Sequence, residues 1–262
     1  MLATTDLHFA YHPARPVLRG VTTSFTPGTF TAIVGPNGSG KSTLLRLLLG
    51  TLTPSSGAAT LAGIPPGTLN PRARAARIGY IAQRADLAEA FTILQYVALG
   101  RFALSRRDAA VHSALERCAL LPRASDLFGE LSAGQQQRAT LARVLAQLDG
   151  GDPSTQTILA DEPASAMDPR HALFTLGVLK AESRRGLTIA VVLHDLTLAA
   201  RLADRVLVLD EQGQLAADGP PSTALEPVLL ERVFGVGFER ADLPGGVSIV
   251  PTLLPPTHAR PH

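Results

Sequence analysis

The chain has 262 residues, 24 Lys+Arg against 22 Asp+Glu for a formal net charge of +2, and 45% hydrophobic residues. That length holds one large domain or a domain with a subdomain, and the near balance of charge gives no electrostatic footprint for nucleic acid. No apolar run approaches the roughly 18 residues of a membrane span, no signal-peptide pattern opens the chain, and the lone Cys118 forbids an internal disulfide and suits the cytosol.

Taken in order, residues 2 to 34 alternate as strands: Leu2-Ala3-Thr4, Leu7-His8-Phe9 and Val17 to Phe25, with turns expected at Gly20 and Pro27-Gly28. The β-branched run Thr29 to Val34 predicts a buried strand. It leads into Gly35-Pro36-Asn37-Gly38-Ser39-Gly40-Lys41-Ser42-Thr43, a complete match to the phosphate-loop pattern G-x-x-x-x-G-K-[ST]. A helix from Ser42 to Leu49 follows, stopped by Gly50.

Chemistry gives each position of that loop a role. Glycines at 35, 38 and 40 allow a tight turn with successive N–H groups pointing inward, and the helix adds the positive end of its dipole. Lys41 is placed to reach the β- and γ-phosphates, and the Ser42 hydroxyl to ligate magnesium. The chain has only two lysines, Lys41 and Lys180, among many arginines; a compact ammonium fits between phosphate oxygens where a forked guanidinium does not. The alternative is a chance match in a Gly-rich turn, which the flanking strand and helix argue against.

Beyond the loop come a turn at 54 to 57, a strand Ala58 to Leu61, and a strand Ile78 to Ala82 ending at Gln83. Helical periodicity runs from Thr92 to Leu148, broken near Pro122 and Gly129, with Cys118 as ordinary helix packing. Strand Thr157 to Ala160 ends in Asp161-Glu162; a helix Pro169 to Arg185, a strand Leu187 to Leu193, a helix Leu196 to Ala203 and a strand Arg205 to Leu209 complete the pattern. Leu254 to His262 reads as a loose tail. Strands alternating with helices predict an α/β protein with a parallel or mixed sheet, interrupted by a helical insertion and preceded by a β-rich start.

The paired carboxylates have separable jobs. Asp161, at a strand end after a phosphate loop, is the candidate magnesium holder, and Glu162 the candidate general base for an attacking water. Acidic residues at strand ends also cap turns, so the pair gains its meaning from the loop.

Leu131-Ser132-Ala133-Gly134-Gln135-Gln136-Gln137-Arg138 closely resembles the signature sequence of ATP-binding-cassette (ABC) ATPases. Gln83 resembles that family's Q-loop, Ser165 to Asp168 its D-loop and His194 its switch histidine, while Tyr11 stands where the family stacks an aromatic ring on adenine. The motifs span residues 2 to about 235 in family order. Taken alone, His194 also fits a satisfied turn histidine, Gln83 a surface amide and Tyr11 amphipathic cover.

The resemblance implies a P-loop NTPase (RecA-like) core with an antiparallel β subdomain and an inserted α-helical subdomain at about 86–150, within one ATPase domain at 2–238, followed by an extension at 239–262. It implies ATP and Mg2+ as ligands: Ser42, Asp161 and Gln83 around the metal, His194 at the γ-phosphate, and Asp168 in the D-loop. It also implies a head-to-tail homodimer, in which Ser132, Gly134 and Gln135 of one copy cover the nucleotide held by Lys41 of the other. Three departures stand out. Ala133 replaces a common glycine and requires a negative φ, Ala164 replaces a Thr or Ser, and Met167 replaces a Leu.

One cassette with no membrane span resembles the separate ATPase subunit of a bacterial importer, peripheral on the cytoplasmic face of the inner membrane. Such a subunit works with permease subunits and, indirectly, a periplasmic binding protein, and not with nucleic acid. The long polar stretch Leu148 to Thr157, the segments Leu141 to Leu148 and Leu193 to Leu196, and the end Leu230 to Gly235 with Val247 to Pro251 resemble haem-import ATPases. The insertion also fits a neutral surface loop, and a ferric-siderophore or cobalamin importer has identical chemistry here.

Overall fold

The computed structural model describes residues 1–83, 90–165, 167–244 and 246–252. Ala166 of the D-loop stretch, the expected start of the helical insertion at 86 and the tail from Leu254 lie outside the described residues.

The N-terminal strands β1 (Leu2–His12) and β2 (Arg15–Phe25) form one long antiparallel pair, from Leu2 opposite Phe25 to His12 opposite Arg15. The expected turn at Gly20 is instead a bulge inside β2. The four residues from Leu18 to Val21 oppose the three from Phe9 to Leu7, and Gly20 takes the φ of +66° that this kink requires. β3 (Phe30–Val34) leads into α1 (Lys41–Leu49), closed by Gly50 in left-handed geometry. β4 (Ser56–Leu61) then returns to the far edge of β1, giving a three-stranded antiparallel sheet in the order β2-β1-β4.

After a short helix, α2 (Pro71–Ala75), comes β5 (Ile78–Ile81). The helical insertion contains α3 (Ile93–Ala98), α4 (Asp108–Arg117) and α5 (Ala133–Leu148). Tyr96 stacks on Phe128 with centroids 4.1 Å apart and bonds Thr140 Oγ1 at 3.0 Å, so α3 is locked onto α5. The Arg101 guanidinium donates to the carbonyls of Ala146, Gln147 and Asp149, capping the C-terminal end of α5 where a cation is favoured. Cys118 caps α4 and is fully buried, its thiol pushed up to about 12 by desolvation.

The rest of the chain supplies β6 (Thr157–Asp161), α6 (Pro169–Arg184), β7 (Thr188–Val192), α7 (Leu196–Leu202) and β8 (Arg205–Leu209). Then follow β9 (Leu215–Gly219), the helices α8 (Pro221–Ala224) and α9 (Pro227–Phe234), and a hairpin of β10 (Phe238–Leu243) and β11 (Gly246–Pro251). The large sheet has the order β5-β6-β7-β3-β8-β9, parallel except for β9.

Alternation along these strands divides the interior in two. Ala32, Val34, Ile158, Ala160, Val206 and Val208 face α5, α6 and α7, whereas Ile33, Leu159, Leu207 and Leu209 face α1 and the antiparallel sheet. Shortening fully buried Leu159 to alanine therefore costs about 2–5 kcal/mol. The second lysine is structural: Lys180 Nζ pairs with Asp204 at 2.6 Å, and Asp204 in turn accepts from the Phe30 amide.

The polar stretch after α5 is anchored at its end. Gln156 is buried, and its amide donates to the carbonyls of Leu148 at 2.7 Å and Ala76 at 3.1 Å.

Candidate functional site

The order of the strands explains which residues meet. β6, β7 and β3 are consecutive in the sheet, so the residues after their carboxyl ends fall side by side: Asp161-Glu162, His194 and the loop from Gly35. Gln83 follows β5, one strand further out.

In the phosphate loop, backbone geometry dictates glycine. Gly35 has a φ of +151°, and a Cβ there would lie 2.3 Å from the Leu209 carbonyl oxygen; Gly40 has a φ of +92°, and its Cβ would lie 2.6 Å from the Leu18 side chain. No side chain caps α1, so its first amides remain available to an anion. Lys41 Nζ donates to the carbonyls of Gly35 at 2.8 Å and Pro36 at 2.7 Å. Burial lowers its pKa, partly opposed by Glu162 and Asp161. The Ser39 hydroxyl is buried without a hydrogen-bond partner among the described residues. An ammonium held only by neutral carbonyls, an unused hydroxyl and free helix amides make a donor set that suits phosphate oxygens.

Tyr11, Asn37, Gly38, Lys41, Thr43 and Glu162 line a cavity of about 340 Å³ over this loop. Tyr11 is half exposed, sits edge-on to Phe9 at 4.9 Å, and its hydroxyl lies 3.3 Å from Thr43 Oγ1. Its ring is therefore held against the loop by Phe9 and Thr43 while half of it stays open to the cavity and solvent.

Asp161 is buried and accepts from Ser42 Oγ at 2.9 Å and, weakly, from the Tyr80 hydroxyl at 3.4 Å. Desolvation raises its pKa, with the Ser42 bond and Arg46 pulling the other way. Ser42 and Asp161 together offer two hard oxygen ligands, the kind magnesium takes from a protein when substrate phosphates supply others.

Glu162 has the left-handed φ of +50°, uncommon for a residue with a side chain and typical of a backbone strained for a purpose. Its two oxygens are shared out: Oε2 accepts from Gln83 Nε2 at 2.7 Å, and Oε1 lies 2.5 Å from His194 Nε2. Gln83 thus reaches Glu162 rather than Asp161. Protonated or as the Nε2–H tautomer, His194 donates to the carboxylate.

A second cluster stands apart from the cavity. Ser132 caps α5, its hydroxyl accepting from the Gln135 amide, while the Gln135 side chain accepts from the Ser132 amide at 3.0 Å: a capping box. Ala133 is the first helical residue and has no positive φ, which meets the requirement set by its methyl. A Cβ on Gly134 would lie 3.6 Å from His171 and 3.8 Å from Met167, so signature and D-loop pack together. Asp168 caps α6, and its bonds to His171, at 2.5 Å to Nδ1, lower its pKa. Ser132, Gly134, Gln135 and Asp168 do not line the phosphate-loop cavity of their own chain.

Tyr80 and His171 are site neighbours that sequence reasoning missed. Tyr80 sat unremarked in an alternating strand, and His171 lies one position past Arg170 in the helix that Asp168 caps. Only the sheet register and the helix cap bring them into contact with Asp161 and Asp168.

A family model described as "ABC transporter" matches residues 18–165. The hemin import ATP-binding protein HmuV of Rhodopseudomonas palustris is 40% identical over 255 residues, covering 95% of this chain and 94% of that protein. A dimeric bacterial ABC transporter cassette superposes with a TM-score of 0.74 at 27% identity, over 84% of this chain and 99% of that one. A chain of an inward-facing metal-chelate type ABC transporter superposes with a TM-score of 0.80 at 24% identity, over 96% and 97%, a likeness in fold.

Proposed function

The chain belongs to the ABC transporter family, and we propose that it is the ATP-hydrolysing subunit of a bacterial haem importer. In this reading it works as a head-to-tail homodimer docked on permease subunits at the cytoplasmic face of the inner membrane, with a periplasmic protein delivering the haem. What supports the cargo is likeness to a hemin import ATP-binding protein along almost the whole of both chains.

The observation that carries the catalytic reading is Glu162 held between Gln83 and His194, next to the Asp161–Ser42 pair. ATP enters the cavity over the loop, its adenine against Tyr11 and its phosphates on the loop amides. Lys41 leaves the Gly35 and Pro36 carbonyls for the β- and γ-oxygens, exchanging neutral acceptors for charged ones. Ser42 and Asp161, with Gln83 turning from Glu162, are the residues that would hold Mg2+. The ion supplies Lewis-acid stabilisation of phosphate charge when bound.

Glu162, released from Gln83, accepts a proton from the water that attacks the γ-phosphorus, and His194 orients that carboxylate. Ser132 and the Gly134 amide of the second copy close the site from outside. This accounts for their separation from the cavity of their own chain.

Deleting the gene from its host and supplying hemin or a ferric siderophore as sole iron source tests the cargo. Growth lost on hemin alone supports the proposal. Growth lost on the siderophore alone assigns the chain to a siderophore importer.

A further inference from the structure

His194 is fixed from both sides along the backbone. Before it, the Leu193 amide donates to Ile33 of β3 at 3.1 Å, so the sheet sets that side. After it, Asp195 caps α7, its carboxylate accepting from the Leu198 amide at 2.9 Å. α7 has only seven residues, too few to be stable without tertiary support. Leu196 and Ala199 bury one face against the main core. The opposite face is taken up by the C-terminal hairpin.

That contact is specific. Thr197 Oγ1 both donates to the Ile249 carbonyl and accepts from the Ile249 amide, each at 3.0 Å. Arg201, one turn on and on the same face, donates from Nε to the Val247 carbonyl at 2.8 Å. Ile249 itself is buried in the same core as Leu196. The outward peptide groups of β11 are thus satisfied by α7 side chains instead of by another strand. A lone two-stranded hairpin is marginal in water, so hairpin and helix hold each other. A second hold comes from Phe234 at the end of α9, edge-on to Phe238 at 5.6 Å.

We infer that the hairpin of β10 and β11 is a brace that sets the reach of His194 to Glu162 through α7, with Thr197 its positioning residue. Among the described residues the Thr197 side chain hydrogen-bonds Ile249 and not Glu162 or the phosphate loop; it acts through the helix that begins two residues after His194. The inference rests on the catalytic reading of Glu162 and His194 given above.

The test compares steady-state ATPase kinetics of the full-length protein with Thr197→Val, Thr197→Ser, His194→Ala and the His194→Ala/Thr197→Val double variant. Valine keeps the shape and removes both bonds to Ile249. The brace predicts that kcat falls about tenfold in Thr197→Val with KM for ATP within about twofold, because a small misplacement of a catalytic group costs rate more than binding. It predicts that Thr197→Ser restores the rate, and that the valine change adds nothing when His194 is already alanine. If Thr197→Val does not fold, Arg201→Met carries the same prediction from the other end of the contact. An unchanged kcat, or an equal loss in the His194→Ala background, overturns the brace. Full turnover in His194→Ala itself overturns the catalytic reading, and the brace with it, by a separate signature.

Discussion

Ser42 Oγ donates to Asp161 Oδ1 at 2.9 Å, joining the first turn of α1 to the end of β6 across 119 positions of sequence. The contact joins the two candidate magnesium ligands, and burial, opposed by the Ser42 bond, leaves Asp161 with a raised pKa. A carboxyl whose pKa is higher folded than unfolded binds more protons in the native state. Its stability contribution is therefore present at acid pH and lost as pH rises through the carboxylate range. At neutral pH the ionised Asp161 weakens the nucleotide-free fold. Asp161→Asn should raise Tm at pH 7 while abolishing magnesium-dependent ATP turnover; thermal melts at pH 7 and at acid pH check it, the gain shrinking at the lower pH.

Lys41 has exchanged water for two carbonyls, and its lowered pKa records the cost of that burial. The ammonium regains its charge partner only with nucleotide. Lys41→Ala should weaken ATP binding by about tenfold to a hundredfold, the worth of a charge-assisted contact to phosphate. Equilibrium titration with a fluorescent ATP analogue reads this directly, and unchanged affinity contradicts the phosphate-loop assignment.

In the proposed dimer the signature serine has two roles that one substitution can separate. As the cap of α5, Ser132 is worth about 1 kcal/mol, and aspartate caps as well as serine. As a cover for the γ-phosphate of a second copy, aspartate brings charge against charge. Ser132→Asp should keep Tm near that of the parent yet lose ATP-dependent dimerisation on size exclusion, whereas Ser132→Ala should lower Tm.

The D-loop aspartate makes a pH-dependent contribution of the opposite sign to that of Asp161. Bonds from His171 lower its pKa, so stability is present above the usual carboxylate range and is lost as pH falls through the lowered value. Asp168→Ala should lower Tm at pH 7, and the difference should narrow in strong acid. Asp168→Asn, which keeps the cap, should lose less.

Much of this was legible in the chain because local chemistry leaves local marks. Gly35, Gly38 and Gly40 have the positive φ values their spacing implied, Gly50 ends its helix, and the buried strands are the apolar runs. Failures arose where long-range pairing decides. Gly20 read as a turn because a bulge and a turn use the same residue, and only the pairing of Leu18 with Phe9 distinguishes them. β9 was missed because Leu215 to Gly219 is half exposed and short of β-branched residues, so its place depends on β8. The extension expected from 239 holds most of a hairpin that no local pattern announces: β10 begins at Phe238, and its partner β11 packs on α7. Nothing in the local sequence of Thr197 announces the partner at Ile249. Tyr80 met Asp161 for the same reason, through the register of β5 on β6.

The central claim is that Glu162, in its left-handed backbone between Gln83 and His194, takes the proton from the attacking water in a site completed by a second copy. The most direct measurement is ATP turnover of Glu162→Gln alongside its oligomeric state with and without ATP. The amide keeps the shape and one accepting oxygen but cannot accept the proton. The account predicts turnover reduced by at least about a hundredfold, within the range of a lost general base, together with an ATP-induced dimer that persists. Turnover near the parent rate, or a protein that stays monomeric with ATP bound, contradicts it.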